Sequence, residues 1–211
     1  LSQIRHGFIG RAPGIDVAIE RAQALQRLEL HHAAARRALG LGDRPPVTAE
    51  QVHGNRVAVV QSPAENFFPG VDGFITACPE VCLGIYVADC CAVYLVEPGR
   101  RVIALLHSGK KGSELGITTI ALERMVREFG CDPARVIAQL SPSIRPPMYE
   151  VDFAAQIVRQ CRAAGVRQVF DCGTCTAAHP DRYYSYRASR GKTGRMLALL
   201  GLEAACISHQ P

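Results

Sequence analysis

The chain has 211 residues, 48% of them hydrophobic and 20% charged, with a net charge of +5. That length supports one sizeable core, and the composition excludes a disordered chain. Apolar strings such as CLGIYVA and RVIALLH fall well short of a membrane span, and no basic segment followed by an apolar stretch opens the chain. A soluble cytosolic protein with no membrane partner is the expectation.

In chain order, Asp16 predicts a helix cap, because Ile19, Ala22, Leu25 and Leu28 then recur at helical spacing and Gly40 can end the helix. Strands are expected over 57–61, 73–76, 82–89, 93–97 and 102–107, all rich in apolar and β-branched residues. Pro98-Gly99 separates the last two as a hairpin turn. A helix over 113–129, a strand over 136–140, a helix over 152–164 and a short strand at Val169 follow. Thr193 is read as the cap of a final helix over 196–200. Strands buried on both faces need covering layers, so the fold class is α/β (α+β), a mixed β-sheet core with flanking helices in a single domain over residues 1–211.

Three residues carry the most chemistry: His53 in QVHG, Cys90 in ADCC and His107 in LLHSG. Each lies where an apolar strand runs out. Two imidazoles and a thiolate are the donor set of an open zinc site, with a fourth position left for water or substrate. Their separations, 90 − 53 = 37 and 107 − 90 = 17, differ from the short paired spacings of structural zinc and require the fold to assemble the site. The alternatives are a closed structural zinc in a non-catalytic metal-binding protein, a buried thiol with two strand-end histidines in structural roles, and a Cys90 nucleophile with His107 as its base in an amidase-like hydrolase. Asp89 is either an acceptor that orients a ligating imidazole or a strand-end cap.

The nine cysteines are spread through apolar segments, which suits reduced thiols better than a disulfide scaffold; the Cys172/Cys175 pair is read as packing. Arg182, Arg187, Arg190, Lys192 and Arg195 crowd into fourteen residues, and Lys110 and Lys111 follow His107. Aromatic residues accompany them only at 183–186, so a small-anion site is expected rather than a nucleic-acid surface. RGKTGR is not a Walker A loop, because the position that needs the first glycine is Tyr186.

The strings QVHGNRV, VDGFIT, VADC, LLHSG, SPSI, YEV, YYSYR and GKTGR occur in one order. Together they resemble the YfiH family, also called the multicopper polyphenol oxidase or laccase-domain family, from about Phe8 to Leu200. The resemblance implies an α/β domain binding zinc through His53, Cys90 and His107. It further implies phosphorolysis of adenosine, inosine, guanosine or methylthioadenosine, with adenosine deamination alongside. Purine nucleoside and phosphate would be the partners. Cys90 and Asp89 would be catalytic, and Arg11, Gln51, Tyr186, Arg187, Arg195, Lys110 and Lys111 would bind substrate or phosphate. Cys175-Thr176 would stand near the site.

The older family name implies copper and polyphenol oxidation instead. A full laccase needs about eight histidine ligands, often as HxH pairs. This chain has seven histidines and no HxH. Where the family reads His-Ala-Gly-Trp-Arg-Gly, this chain reads HSGKKG, and Met148-Tyr149-Glu150-Val151 stands for Cys-Tyr-Glu-Val. Loss of the flat Trp face predicts weaker nucleoside binding with metal binding retained.

Overall fold

A computed structural model describes residues 4–43 and 45–203. Its elements are β1 (Ile4–Ile9), α1 (Arg21–Ala38), β2 (Thr48–Ala49), β3 (Val57–Val59), β4 (Phe67–Phe68), β5 (Gly73–Thr76), β6 (Cys82–Val87), β7 (Cys91–Glu97), β8 (Val102–Ser108), α2 (Lys110–Glu114), α3 (Ile117–Phe129), β9 (Ile137–Leu140), α4 (Phe153–Ala163), β10 (Gln168–Asp171) and β11 (Met196–Leu202). A six-stranded mixed sheet has the order β10-β9-β7-β8-β5-β3; an antiparallel sheet has the order β1-β11-β6, and β2 pairs with β4.

Alternation along the strands explains their continuous apolar character. Ile103 and Leu105 of β8 join Phe74, Leu83, Ile85, Ala198 and Leu200 in a core between the two larger sheets. Ala104 and Leu106, pointing the other way, pack with Ile117, Ala121 and Leu122 of α3 and with Ile157 of α4. Leu197 and Leu199 turn to the outer face of the smaller sheet, where Ala35, Leu39 and Leu41 cover them. The result is helix, sheet, sheet, helix, so one of the two covering layers of each sheet is the other sheet. No helix among the described residues is long and apolar enough to cross a membrane.

Three sequence expectations change. MLALLGL is a fully buried strand between β1 and β6, and buried Thr193 lies upstream of it without starting a helix. A short run that is apolar on every side fits a strand with two covered faces as well as a helix. The helix expected over 113–129 is two helices, broken at Gly116 with φ +73, a left-handed conformation that glycine adopts without strain. Asp16 caps no helix; its carboxylate accepts from the Ala18 amide and pairs with Arg27, while α1 begins at Arg21. The Pro98-Gly99 hairpin, β5 and the other strands lie within a few residues of expectation.

His32 of α1 is 3% exposed beside Tyr86 of β6, with ring centroids 5.8 Å apart. Its Nε2 has no partner among the described residues. Burial, helped by neighbouring His31 and opposed by a hydrogen bond at the Arg195 backbone, lowers its pKa from 6.5 to about 4. The unfolded chain therefore takes up this proton first as pH falls. His32 contributes full stability above pH 6.5 and loses it progressively towards pH 4. Unfolding free energy should drop by about 1.5 kcal/mol from this group between pH 6.5 and 5. Denaturant titrations at both pH values should show a smaller drop in His32→Phe; an equal drop would assign the pH dependence to other groups.

Candidate metal centre and its cleft

The three expected ligands converge. One donor atom each from His53, Cys90 and His107 lies within 4.8 Å of the others. Antiparallel neighbours reach the same edge here because Cys90 does not end the strand paired with β8. It sits in the turn after β6, directly before β7, and β7 starts where β8 finishes, with Cys91 opposite Ser108 and Ala92 opposite His107. The Cys90 turn therefore crosses from the smaller sheet to the larger one. Gly109 admits the thiol closely, since a Cβ there would lie 2.6 Å from Cys90 Sγ.

Asp72, immediately before β5, holds the two histidines, and no expected site residue included it. Its fully buried carboxylate is 2.8 Å from His107 Nδ1 and accepts from the amides of Val52, His53 and Gly54 at 3.2, 2.9 and 2.7 Å. Its carbonyl also accepts from the His107 amide at 2.7 Å. Those bonds fix the turn in which His53 has φ +60, a strained conformation for a residue with a Cβ. They also hold the His107 ring so that Nε2 remains for a ligand. The one sequence signal was a carboxylate directly ahead of an apolar strand in VDGFIT.

Burial by itself would raise the Cys90 thiol, but the charge and hydrogen bond of His107, with help from His53, outweigh it and bring its pKa down to about 6. Burial likewise opposes charge on His107, and the Cys90 thiolate and Asp72 outweigh it. Asp72 is held below its ordinary value, burial being outweighed by His107 and the Gly54 and His53 amides. A thiolate at neutral pH is the form that binds metal. Two imidazoles, a thiolate and an exposed His53 edge thus fit an ion with an open position.

A cleft of about 870 Å³ opens over these residues. Of the residues expected to bind substrate or phosphate, Gln51, Lys110, Lys111, Tyr186, Arg187 and Arg195 line it, joined by Arg21, Tyr149, Glu150 and Arg190. Several are already engaged. Gln51 clamps the Tyr86 backbone through both amide atoms, and Arg187 pairs with Glu150 over the Tyr149 ring at 4.9 Å. Arg195 is half-buried beside Tyr186, donates to the Thr193 and Gly194 carbonyls, and is held below its ordinary pKa by burial and by the nearby charge of Arg21.

Two expected residues do other work. Arg11 lies over the Tyr184 ring at 5.0 Å and is absent from the cleft lining. Asp89 lines the cleft but orients no imidazole, a task that falls to Asp72. Its carboxylate accepts from Thr176 Oγ1, Ser185 Oγ and the Arg187 amide at 2.7, 3.0 and 2.7 Å, tying the arginine segment to the Cys90 turn. Thr176 is how the Cys-Thr pair reaches the site; Cys172 and Cys175 are free thiols.

The fold and donor set define an α+β protein with a candidate His-Cys-His metal centre in an open cationic cleft. The chain belongs to the family described as multi-copper polyphenol oxidoreductase laccase, the YfiH family, which matches residues 13–156 and 151–203. It is 32% identical over 232 residues to a purine nucleoside phosphorylase of Deinococcus radiodurans, covering 94% of this chain and 89% of that one. A purine nucleoside phosphorylase of Streptomyces coelicolor is 31% identical over 196 residues, covering 80% of each. Among solved structures, the hypothetical protein YfiH of Bacillus licheniformis aligns with a TM-score of 0.83 at 22% identity, covering 95% of this chain and 93% of that one. YlmD of Geobacillus stearothermophilus aligns at 0.79 with 24% identity, covering 95% and 90%.

Proposed function

We propose that this chain is a zinc-dependent purine nucleoside phosphorylase acting on adenosine, inosine, guanosine or methylthioadenosine, with adenosine deamination as a second reaction. The observation that carries the reading is one cleft holding both an open His-Cys-His set and half-buried Arg195, which makes no ion pair within 4 Å among the described residues, beside Arg21. The names of the relatives at about 30% identity support the phosphorolysis in this reading.

In phosphorolysis a phosphate oxygen forms a bond to the anomeric carbon as the bond to the purine breaks, giving ribose 1-phosphate and free base. Zinc held by His53, Cys90 and His107 would supply Lewis-acid polarisation and an acidified water. Arg195 and Arg21 would hold the phosphate, since guanidinium groups bind its oxygens through paired charge-assisted hydrogen bonds. Tyr149 and Tyr186 offer aromatic surface to a base or sugar. Arg187, already paired with Glu150, is the weaker phosphate holder.

Metal analysis of protein purified without added metal, with a chromatographic nucleoside screen with and without phosphate, tests the proposal. Zinc and phosphate-dependent base release are expected; copper with a strong visible band would favour an oxidase, against which stand seven histidines and no HxH. Within the active protein, Arg195→Ala should raise the KM for phosphate at least about tenfold, with Arg195→Lys intermediate. An unmoved phosphate KM in both variants puts the anion elsewhere.

A second reading rests on one arrangement: Cys90, His107 and Asp72 in line as nucleophile, base and orienting carboxylate. A metal on Cys90 would withdraw the thiolate from such chemistry. Chelation should abolish phosphorolysis, whereas a thiol hydrolase, such as an amidase, would gain activity.

A further inference from the structure

We infer that Lys110, Lys111 and Glu114 read the edge of the base and make this cleft selective for 6-oxopurine nucleosides, inosine and guanosine, over adenosine and methylthioadenosine. Such selectivity rests on the phosphorylase reading and narrows its substrate class. The cleft draws its walls from different layers. Arg21 opens α1, on the outer face of the smaller sheet, and Arg195 immediately precedes β11 of that sheet. Lys110, Lys111 and Glu114 all belong to α2, which follows β8 of the larger sheet. Gln156 and Gln160 of α4 both donate to the Ser113 carbonyl, at 3.2 and 2.7 Å, and seat α2 against that helix. From the same side come two aromatic rings of the cleft lining, Tyr149 and Phe153, edge to face with centroids 6.0 Å apart. The arginines of the first wall suit phosphate. The second wall joins apolar ring surface to a few polar tips, the makeup of a site for a heterocyclic base.

Among the described residues none of the three α2 side chains makes an ion pair, with one another or with any other group. Lysine offers donors and no acceptor, and an ionised carboxylate only accepts. Lys110 and Glu114 are four positions apart and Lys111 and Glu114 three, so each pair meets on one helix face. α2 thus presents donor and acceptor side by side. A 6-oxopurine carries the matching edge: O6 and N7 accept, and N1–H donates next to O6. In guanine the 2-amino group adds a second donor, which lets both carboxylate oxygens of Glu114 take part. A 6-aminopurine reverses the edge. Its amino group would meet an ammonium, donor against donor, and its N1 lone pair would meet a carboxylate, acceptor against acceptor. Polar groups matched to one edge are left unpaired by the other, which is why hydrogen-bonding sites discriminate between near-isosteres. Adenosine is then the weaker ligand, and its deamination would turn the disfavoured edge into the favoured one.

Calorimetric titration of metal-replete protein in phosphate-free buffer tests this without relying on turnover, with chromatography verifying that each nucleoside is recovered unconverted. Inosine should bind at least about tenfold more tightly than adenosine, the scale of one hydrogen bond to a charged group. On the same wild-type protein 1-methylinosine, which keeps O6 and lacks N1–H, should lose most of that advantage. In Glu114→Gln, whose amide can accept or donate, and in Lys110→Ala/Lys111→Ala, the inosine-to-adenosine ratio should fall to within about twofold of one. All three side chains are exposed, so the variants should keep the fold. Equal or tighter binding of adenosine overturns the inference. So does a ratio unchanged in either variant, or 1-methylinosine binding as tightly as inosine. Phosphate-dependent base release is assayed separately on inosine and adenosine. Its absence from both would sink the phosphorylase reading, while the affinity ratio still decides which base edge the cleft prefers.

Discussion

Cys90→Ala and His107→Ala are each expected to strip the protein of its metal, lowering zinc affinity by more than the 10- to 100-fold typical of losing an outer partner. Two remaining donors leave an ion with half of a tetrahedral shell, and the sulfur is the strongest donor of the set. The ligand atoms already lie within 4.8 Å of one another, so binding requires little rearrangement and the loss should appear as affinity rather than as unfolding. Zinc content after dialysis against a weak chelator, with far-ultraviolet dichroism to verify the fold, is the measurement. Full occupancy in both variants would remove these residues from the metal centre. Phosphate-dependent base release should disappear along with the ion.

Asp72 should be nearly as sensitive although it offers the metal no atom. Asp72→Asn keeps the shape but turns an amide donor towards groups that are all donors: the amides of Val52, His53 and Gly54 and the ring of His107. Each buried donor left unmatched costs about 1–3 kcal/mol. The His53 turn, at φ +60, loses the bonds that hold it there. We expect metal affinity to fall about 10- to 100-fold and thermal stability to drop as well. Chelator competition separates the two effects when it is run well below the melting temperature. Wild-type affinity in Asp72→Asn would show that the ligand geometry stands without this carboxylate.

The sequence made the convergence of His53, Cys90 and His107 legible because strand ends and side-chain chemistry are local signals. The strands were readable for the same reason: residues such as Val93 to Val96 are apolar on both faces, as only a doubly covered sheet requires. What escaped was set by pairing across long separations. β1 was not anticipated, because IRHGFI is half polar and becomes a strand through its partner nearly two hundred residues later. β11 was mistaken for a helix because its apolar run has no period. Asp72 went unassigned because its four partners come from two segments, 52–54 and 107, that only the fold brings to it. The role expected of Asp89 went to Asp72, since a positive φ of +83 turns its carboxylate towards Thr176 and Ser185.

The Cys90 turn, which passes from the smaller sheet to the larger, makes the centre a gauge of how the two sheets are seated. His107 belongs to a strand of one layer, Arg195 immediately precedes a strand of the other, and Cys90 bridges them. A slide of one layer over the other would alter donor spacing even with every ligand intact. Substitutions in the layer between the sheets, at Phe74 or Leu83, would then be felt first in metal affinity and phosphate binding, ahead of any general loss of fold. Functional drift in such a protein can therefore begin in its interior, with the visible site unaltered in sequence.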